Sequence, residues 1–188
     1  MKKINSKGFT LIELLAVITI MGILMLVAIP AVSRTIENSR RDSFADVAKT
    51  YINTVRNAVI ADELKCGTGD VSVAATGKGR YYFAIDTTQD GTKDLMESGG
   101  KSSWGSNNLI GMVLWLKLPA DNGGFKTTYE VLLVDAQNHG IPVLTPEESV
   151  SRSSVKVNTK NETPSVQYST LGAWVAAYDD MATPCTLK

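Results

Sequence analysis

The chain has 188 residues, with 19 basic and 19 acidic side chains, one histidine and two cysteines. Balanced charge removes the bulk electrostatic argument for a nucleic-acid-binding protein, and a lone histidine, His139, lacks the companion that a histidine-based metal pair needs. Setting aside one long apolar segment leaves about 155 residues, the size of one domain rather than two.

The chain begins with a short basic leader carrying Lys2, Lys3 and Lys7. Gly8, Phe9, Thr10-Leu11-Ile12, Glu13 and Leu14-Leu15 follow. From Leu14 to Val32, nineteen positions, there is no charged residue, and a membrane-spanning helix needs about 20. An ordinary secretory signal peptide has the same order of basic and apolar parts, and Ala31-Val32-Ser33 imitates its cleavage site. The apolar run is too long for that reading, since signal peptides use roughly 7–15 apolar residues. Glu13 also interrupts its start, and the run passes without a break into a helical pattern. A plain single-pass anchor, with the lysines held in the cytoplasm, is compatible with everything so far. It does not explain why an acid stands at the edge of the membrane, where a charge is costly without a partner.

The order of basic leader, Gly8-Phe9, Thr10-Leu11-Ile12, Glu13, Leu14-Leu15 and a distal Pro30 resembles the type IV pilin family and its pseudopilin relatives. The motif covers about one sixth of the chain and is highly specific. The resemblance implies that a prepilin peptidase cuts after Gly8 and that the new amino terminus, Phe9, is N-methylated. It implies that Glu13 pairs with the amino terminus of a neighbouring subunit during assembly. Two opposite charges attract strongly in low dielectric, which suits that role. Gly8, lacking a Cβ, suits an extended backbone entering a protease cleft. Gly22 and Pro30 are helix-weakening positions inside the span, and Pro30 cannot donate to the carbonyl of Leu26. In pilins the segment between such positions loosens when subunits pack.

The expected domains are a leader over 1–8, an apolar membrane and polymerisation helix over 9–33, and a globular domain over 34–188. The expected fold class is α+β, a long N-terminal helix packed on an antiparallel sheet. From Ser33 the helix changes character. Phe44, Val47, Ala48, Tyr51, Ile52, Val55, Ala58 and Val59 recur at three- and four-residue steps, while charged residues fill the other faces. The pattern predicts one helix from Phe9 to Lys65, stopped by Cys66-Gly67. Residues 67–79 read as a loop, and Arg80–Ile85 as a short strand. Leu109–Leu118 and Thr127–Asp135 read as an antiparallel hairpin, and Asp135–Gly140 as a turn. Beyond Pro142, short strands are expected at 154–157 and 165–169, and strand or helix at 171–178. In an exported domain Cys66 and Cys185 are a candidate disulfide; two separate thiols are the alternative, and spacing does not decide.

Asp86, Asp90, Asp94 and Glu97 occupy positions 1, 5, 9 and 12 of a candidate calcium loop, with Gly91 at position 6. Thr88 and Lys93 depart from the pattern, and a strand rather than a helix precedes it, so a solvated Asp-Gly turn is the simpler reading. No other cofactor is expected. No nucleophile motif surrounds His139, so no enzyme is expected. Asn161-Glu162-Thr163 matches a glycan acceptor of a kind common by chance. Tyr81, Tyr82, Trp104, Trp115 and Trp174 are core or binding-surface candidates.

The expected function is a structural subunit of a type IV pilus, a surface fibre for adhesion, aggregation or motility. The alternatives are a minor pilin, a pseudopilin of a secretion or DNA-uptake system, or a monomeric membrane-anchored binding protein. The expected partners are copies of itself in a helical homopolymer, the prepilin peptidase, the assembly machinery and the membrane. Host surfaces, other cells or DNA are further partners that the sequence does not specify. The expected location is a single-pass inner or plasma membrane protein that becomes an extracellular fibre.

Overall fold

The computed structural model describes residues 9–67, 71–72, 79–87, 96, 100–121, 123–161 and 182–188. One helix, α1, runs over Leu11–Ile60 and includes Gly22 and Pro30 without interruption. The chain divides into two compact units, residues 1–39 and 40–188, with the boundary inside this helix. In the first unit every described side chain is exposed. These include the side chains of the apolar run, which makes the helix long and apolar enough, by length and composition, to cross a membrane.

In the second unit the helix is amphipathic. Phe44, Ala45, Ala48, Tyr51, Ile52, Val55 and Ala58 are buried, while Val47 and Val59 pack at the margin of the same cluster. The helix ends at Ile60, five residues before the expected stop. Asp62 takes a left-handed conformation, φ 59°. The Glu63 N–H bonds the Ala58 carbonyl at 2.9 Å and the Asp62 N–H bonds the Val59 carbonyl at 3.4 Å. This is a Schellman stop, with Asp in the place that Gly usually takes. Asp and Asn tolerate that backbone better than most residues.

Among the described residues seven strands follow: β1 (Leu64–Cys66), β2 (Val71–Ser72), β3 (Gly79–Asp86), β4 (Leu109–Pro119), β5 (Phe125–Asp135), β6 (Gly140–Pro146) and β7 (Thr183–Leu187). They form one sheet in the order β2-β1-β7-β3-β4-β5-β6. All neighbours are antiparallel except β3 and β7, which run parallel. β1 lies where the helix was expected to continue, β2 lies inside the expected 67–79 loop, and β6 and β7 were not foreseen. β4 and β5 pair over their full eleven-residue lengths, from Leu109↔Asp135 to Pro119↔Phe125. The strand expected at 154–157 is replaced by a 3-10 turn over Arg152–Ser154 and a single bridge between Lys156 and Gly140. The elements expected at 165–169 and 171–178, with Trp174, lie outside the described residues, as does most of the glycan tripeptide.

The sheet is apolar on both faces. The helix-side core joins the buried face of α1 to Tyr81, Phe83, Ile85, Leu109, Val113, Trp115, Val131, Leu133 and Ile141. The opposite face holds Tyr82, Met112, Leu114, Leu132 and Val134, also buried. Central strands buried on both sides read as continuous apolar runs rather than clean alternation. Tyr81, Tyr82 and Trp115 are therefore core residues, and Tyr81 stacks on Trp115 at 5.9 Å between ring centroids.

Candidate functional site

The first turn of α1 holds the chemistry that the sequence singled out. Gly8 lies outside the described residues. Phe9 is 90% exposed. Thr10 is the N-cap: its carbonyl accepts the Leu14 N–H at 3.2 Å, opening the helix. The Glu13 carboxylate folds back and accepts the Thr10 N–H at 2.8 Å and the Thr10 hydroxyl at 2.7 Å. The Glu13 N–H in turn reaches the Thr10 hydroxyl at 3.4 Å. Thr10-Leu11-Ile12-Glu13 is thus a capping box, which satisfies helix N–H groups that would otherwise lack partners. A negative charge there also opposes the positive end of the helix dipole. The S/T-x-x-E spacing is the sequence signal for this box, and it gives Glu13 a partner within its own chain.

At the far end of the helix, Cys66 and Cys185 form a disulfide across 119 residues of sequence. They sit directly opposite one another in the antiparallel β1–β7 pair, with Cα atoms 4.1 Å apart. That separation belongs to the narrow, non-hydrogen-bonded kind of antiparallel pair, where side chains come closest. The disulfide ties the strand following α1 to the C-terminal strand. Lys188 adds to the closure, its Nζ donating to Asp62 at 2.6 Å and its N–H to the Glu63 carbonyl at 2.8 Å.

Residues 3–29 match the prokaryotic N-terminal methylation motif. The chain is 31% identical to the fimbrial protein EcpC of Eikenella corrodens over 131 residues, which span 66% of this chain and 82% of that protein. It is 33% identical to a fimbrial protein of Pseudomonas aeruginosa over 110 residues, 52% of this chain and 70% of that one. The chain belongs to the type IV pilin family. No solved structure matches this pilin.

Other polar side chains serve the pilin's fold. Asp135 is fully buried at the end of β5. Its carboxylate accepts the Ser102 hydroxyl at 2.5 Å and the N–H groups of Gln137 at 2.9 Å and His139 at 2.8 Å. The His139 ring Nδ1 approaches the same carboxylate at 3.1 Å, and the ring stacks on Trp104 at 4.5 Å. Trp104 in turn packs on Phe44 of α1 at 5.9 Å. This network locks the β5–β6 turn and the 100–108 loop onto the helix. Two ion pairs do similar work: Asp42 with Arg152, and Arg56 with Glu147. Arg56 also lies 4.8 Å above the Tyr129 ring. The hydrogen bond from Arg152 holds the Asp42 carboxyl below its usual value. Of the candidate calcium ligands, Asp90, Asp94 and Glu97 lie outside the described residues; Asp86 ends β3, is half-buried and has an interaction partner.

Proposed function

We propose that this pilin is made as a membrane-anchored precursor, cut after Gly8, methylated at Phe9 and polymerised through its N-terminal helix as a structural subunit of a type IV pilus. One observation carries the reading. The methylation motif over residues 3–29 coincides with the apolar first part of α1, where every described side chain is exposed and where Glu13, in the first turn, is the one acid before Val32.

The physical sequence is as follows. Before assembly the apolar run resides in the bilayer, and Thr10 satisfies Glu13 within its own chain. After cleavage Phe9 carries a cationic amine, and Glu13 of a neighbouring copy is its natural counter-charge. Lipid tails are as apolar as leucine, so transfer of the helix from bilayer to fibre gains little from hydrophobicity. Helix packing and the charge pair supply the preference for assembly. Gly22 and Pro30 supply the places where the helix loosens as it packs. The globular unit faces solvent and the partners the fibre meets.

The test is fibre yield from cells making Glu13→Ala or Glu13→Gln. Both variants are expected at wild-type levels in the membrane and nearly absent from the sheared surface fraction. Wild-type fibre yield from both would overturn the assigned role of Glu13.

A further inference from the structure

At one end of the sheet, the loops of the second unit meet the part of α1 around Arg40 and Phe44. The Ser103 hydroxyl donates to the Arg40 carbonyl at 2.6 Å and Trp104 packs on Phe44, which fixes the 100–108 loop to the helix. The Ala136 N–H bonds the Asn108 carbonyl at 3.2 Å and joins the 135–140 turn to that loop. Lys156 forms a backbone bridge with Gly140, and the Thr159 N–H bonds the Asn138 carbonyl at 2.8 Å, which adds residues 155–161. The chain as a whole balances its charges; this end, among the described residues, does not. The three loops carry Lys101, Lys156 and Lys160 and one acid, Asp135. Asp135 is fully buried, and its carboxylate is taken up by Ser102 and His139 inside the domain. Arg40 and Arg41 stand beside the loops on α1, and the next acid, Asp42, is paired with Arg152. Arg40, Lys101 and Lys160 are exposed, and Arg41 and Lys156 are half-buried.

We propose that this basic end of the domain is a docking surface for anionic phospholipid headgroups and holds the globular unit against the membrane in which the precursor is anchored. The proposal rests on the membrane-anchored reading and names the surface of the domain that meets the bilayer. Two observations favour a lipid surface over another anionic partner. The first is reach. Val32, the last residue of the apolar run, and Arg40 are eight residues apart in one helix, a helical length of about 12 Å. The headgroup layer takes up about 6 Å on each side of a bilayer. The basic end then begins within about one Debye length of the lipid charges, about 8 Å at physiological salt. The second is layout. The cations come from three separate segments, α1, the 100–108 loop and residues 155–161, at one end of the sheet, an arrangement that meets a plane of charge broadside. Basic residues near an anionic bilayer each add to the attraction, and the effect fades beyond a Debye length. The apolar run therefore anchors the chain whatever the lipid, while the basic end adds a hold on the domain that depends on salt and on lipid charge.

The experiment uses the full-length chain reconstituted in vesicles of equal parts phosphatidylglycerol and phosphatidylcholine, or of phosphatidylcholine alone. A benzophenone amino acid is placed at position 107, or at position 121 as the control, and lipid adducts are measured by mass spectrometry after irradiation. Asn107 and Asp121 are both exposed and lie beyond opposite ends of β4. At about 0.01 M salt, position 107 is expected to give more than about fivefold more adducts in the anionic vesicles than in the neutral ones. At about 1 M salt, where the Debye length has fallen from about 30 Å to about 3 Å, that excess should vanish. Position 121 is expected to show no such dependence. Arg40→Gln with Lys101→Gln and Lys160→Gln should reduce the excess at position 107 to less than about twofold. The thermal midpoint should be unchanged, because all three side chains are exposed. Equal adducts from position 107 in the two kinds of vesicle at low salt, or adducts to a second copy of the chain in place of lipid, overturn the proposal and leave the anchor intact. A wild-type chain that does not stay with the vesicles overturns the anchored reading instead. If the triple variant lowers the thermal midpoint, the lipid and salt dependence at position 107 in the otherwise unaltered chain decides.

Discussion

Removing the disulfide by changing Cys66 and Cys185 together to Ala should destabilise the subunit strongly, since the two residues tie β1 to β7 within the helix-side core. The bridge closes 119 residues of sequence. In the loop-entropy account a ring of that size restricts the unfolded chain by about 5 kcal/mol, and measured losses for native bridges run from about 2 to 5 kcal/mol. The native side adds to this. β7 is a short strand that pairs with β1 at three positions and with β3 at three, and the bridge reinforces that pairing. For a domain near this size each kcal/mol moves the thermal midpoint by about 2–4 °C, so the double variant should melt about 5–15 °C lower. The assay is thermal unfolding of the detergent-extracted full-length subunit, followed by tryptophan fluorescence. Both sulfurs' residues are buried, at 3% and 4% exposure, so a mild reductant should leave the wild type unchanged below its transition. A double variant melting within about 2 °C of wild type would refute the closure argument.

Other substitutions separate backbone strain from packing and charge. Gly140 has φ +145°, and a Cβ there would stand 2.2 Å from the Leu133 carbonyl oxygen, so Gly140→Ala should cost more than about 3 kcal/mol in denaturant unfolding. Gly105 has φ +90° with nothing within 4 Å, so Gly105→Ala should cost only the backbone strain, about 1 kcal/mol. Asp135→Ala would strip the acceptor from Ser102, His139 and two backbone N–H groups, and should cost about 3–5 kcal/mol by the same measurement, with Asp135→Asn milder. Burial raises the Tyr51 phenol from 10.0 to about 12. The fold therefore holds that proton more tightly than the unfolded chain does. The associated stability is complete below pH 10 and is lost as pH rises toward 12. Alkaline titration at 295 nm should show one phenol fewer ionising late in Tyr51→Phe than in the wild type; a late step of unchanged amplitude in the variant would contradict the assignment.

The legible parts of this protein were those carried by long patterns. The apolar run, the three-and-four spacing of Phe44 to Ala58 and the β4–β5 hairpin each involve ten or more residues under one constraint. The helix end was misplaced because the stop depends on Asp62 adopting a left-handed backbone, and Cys66-Gly67 offered a more conventional signal. β1 and β7 escaped notice because three- and five-residue strands are too short for alternation to be read. β6 carries Pro142 and Pro146, which argue against a central strand; they are tolerated because β6 is an edge. The two cysteines could not be paired from spacing. Their register in β1 and β7 pairs them. At the candidate site, the motif that carries Gly8, Phe9 and Glu13 was legible and coincides with the methylation motif over residues 3–29; the roles of those three residues are part of the proposal above. The Thr10–Glu13 capping box has its own spacing signal, but the sequence does not rank a cap against an amine of another chain as the partner of one acid.

The central claim is that the mature chain begins at Phe9 and lives in a fibre. Intact mass and N-terminal fragment spectrometry on protein sheared from the cell surface tests it directly. The account predicts a chain that has lost its first eight residues and carries a methyl group on the Phe9 amine. A surface form that still begins at Met1, or one whose terminus lies beyond Ala31, would contradict it.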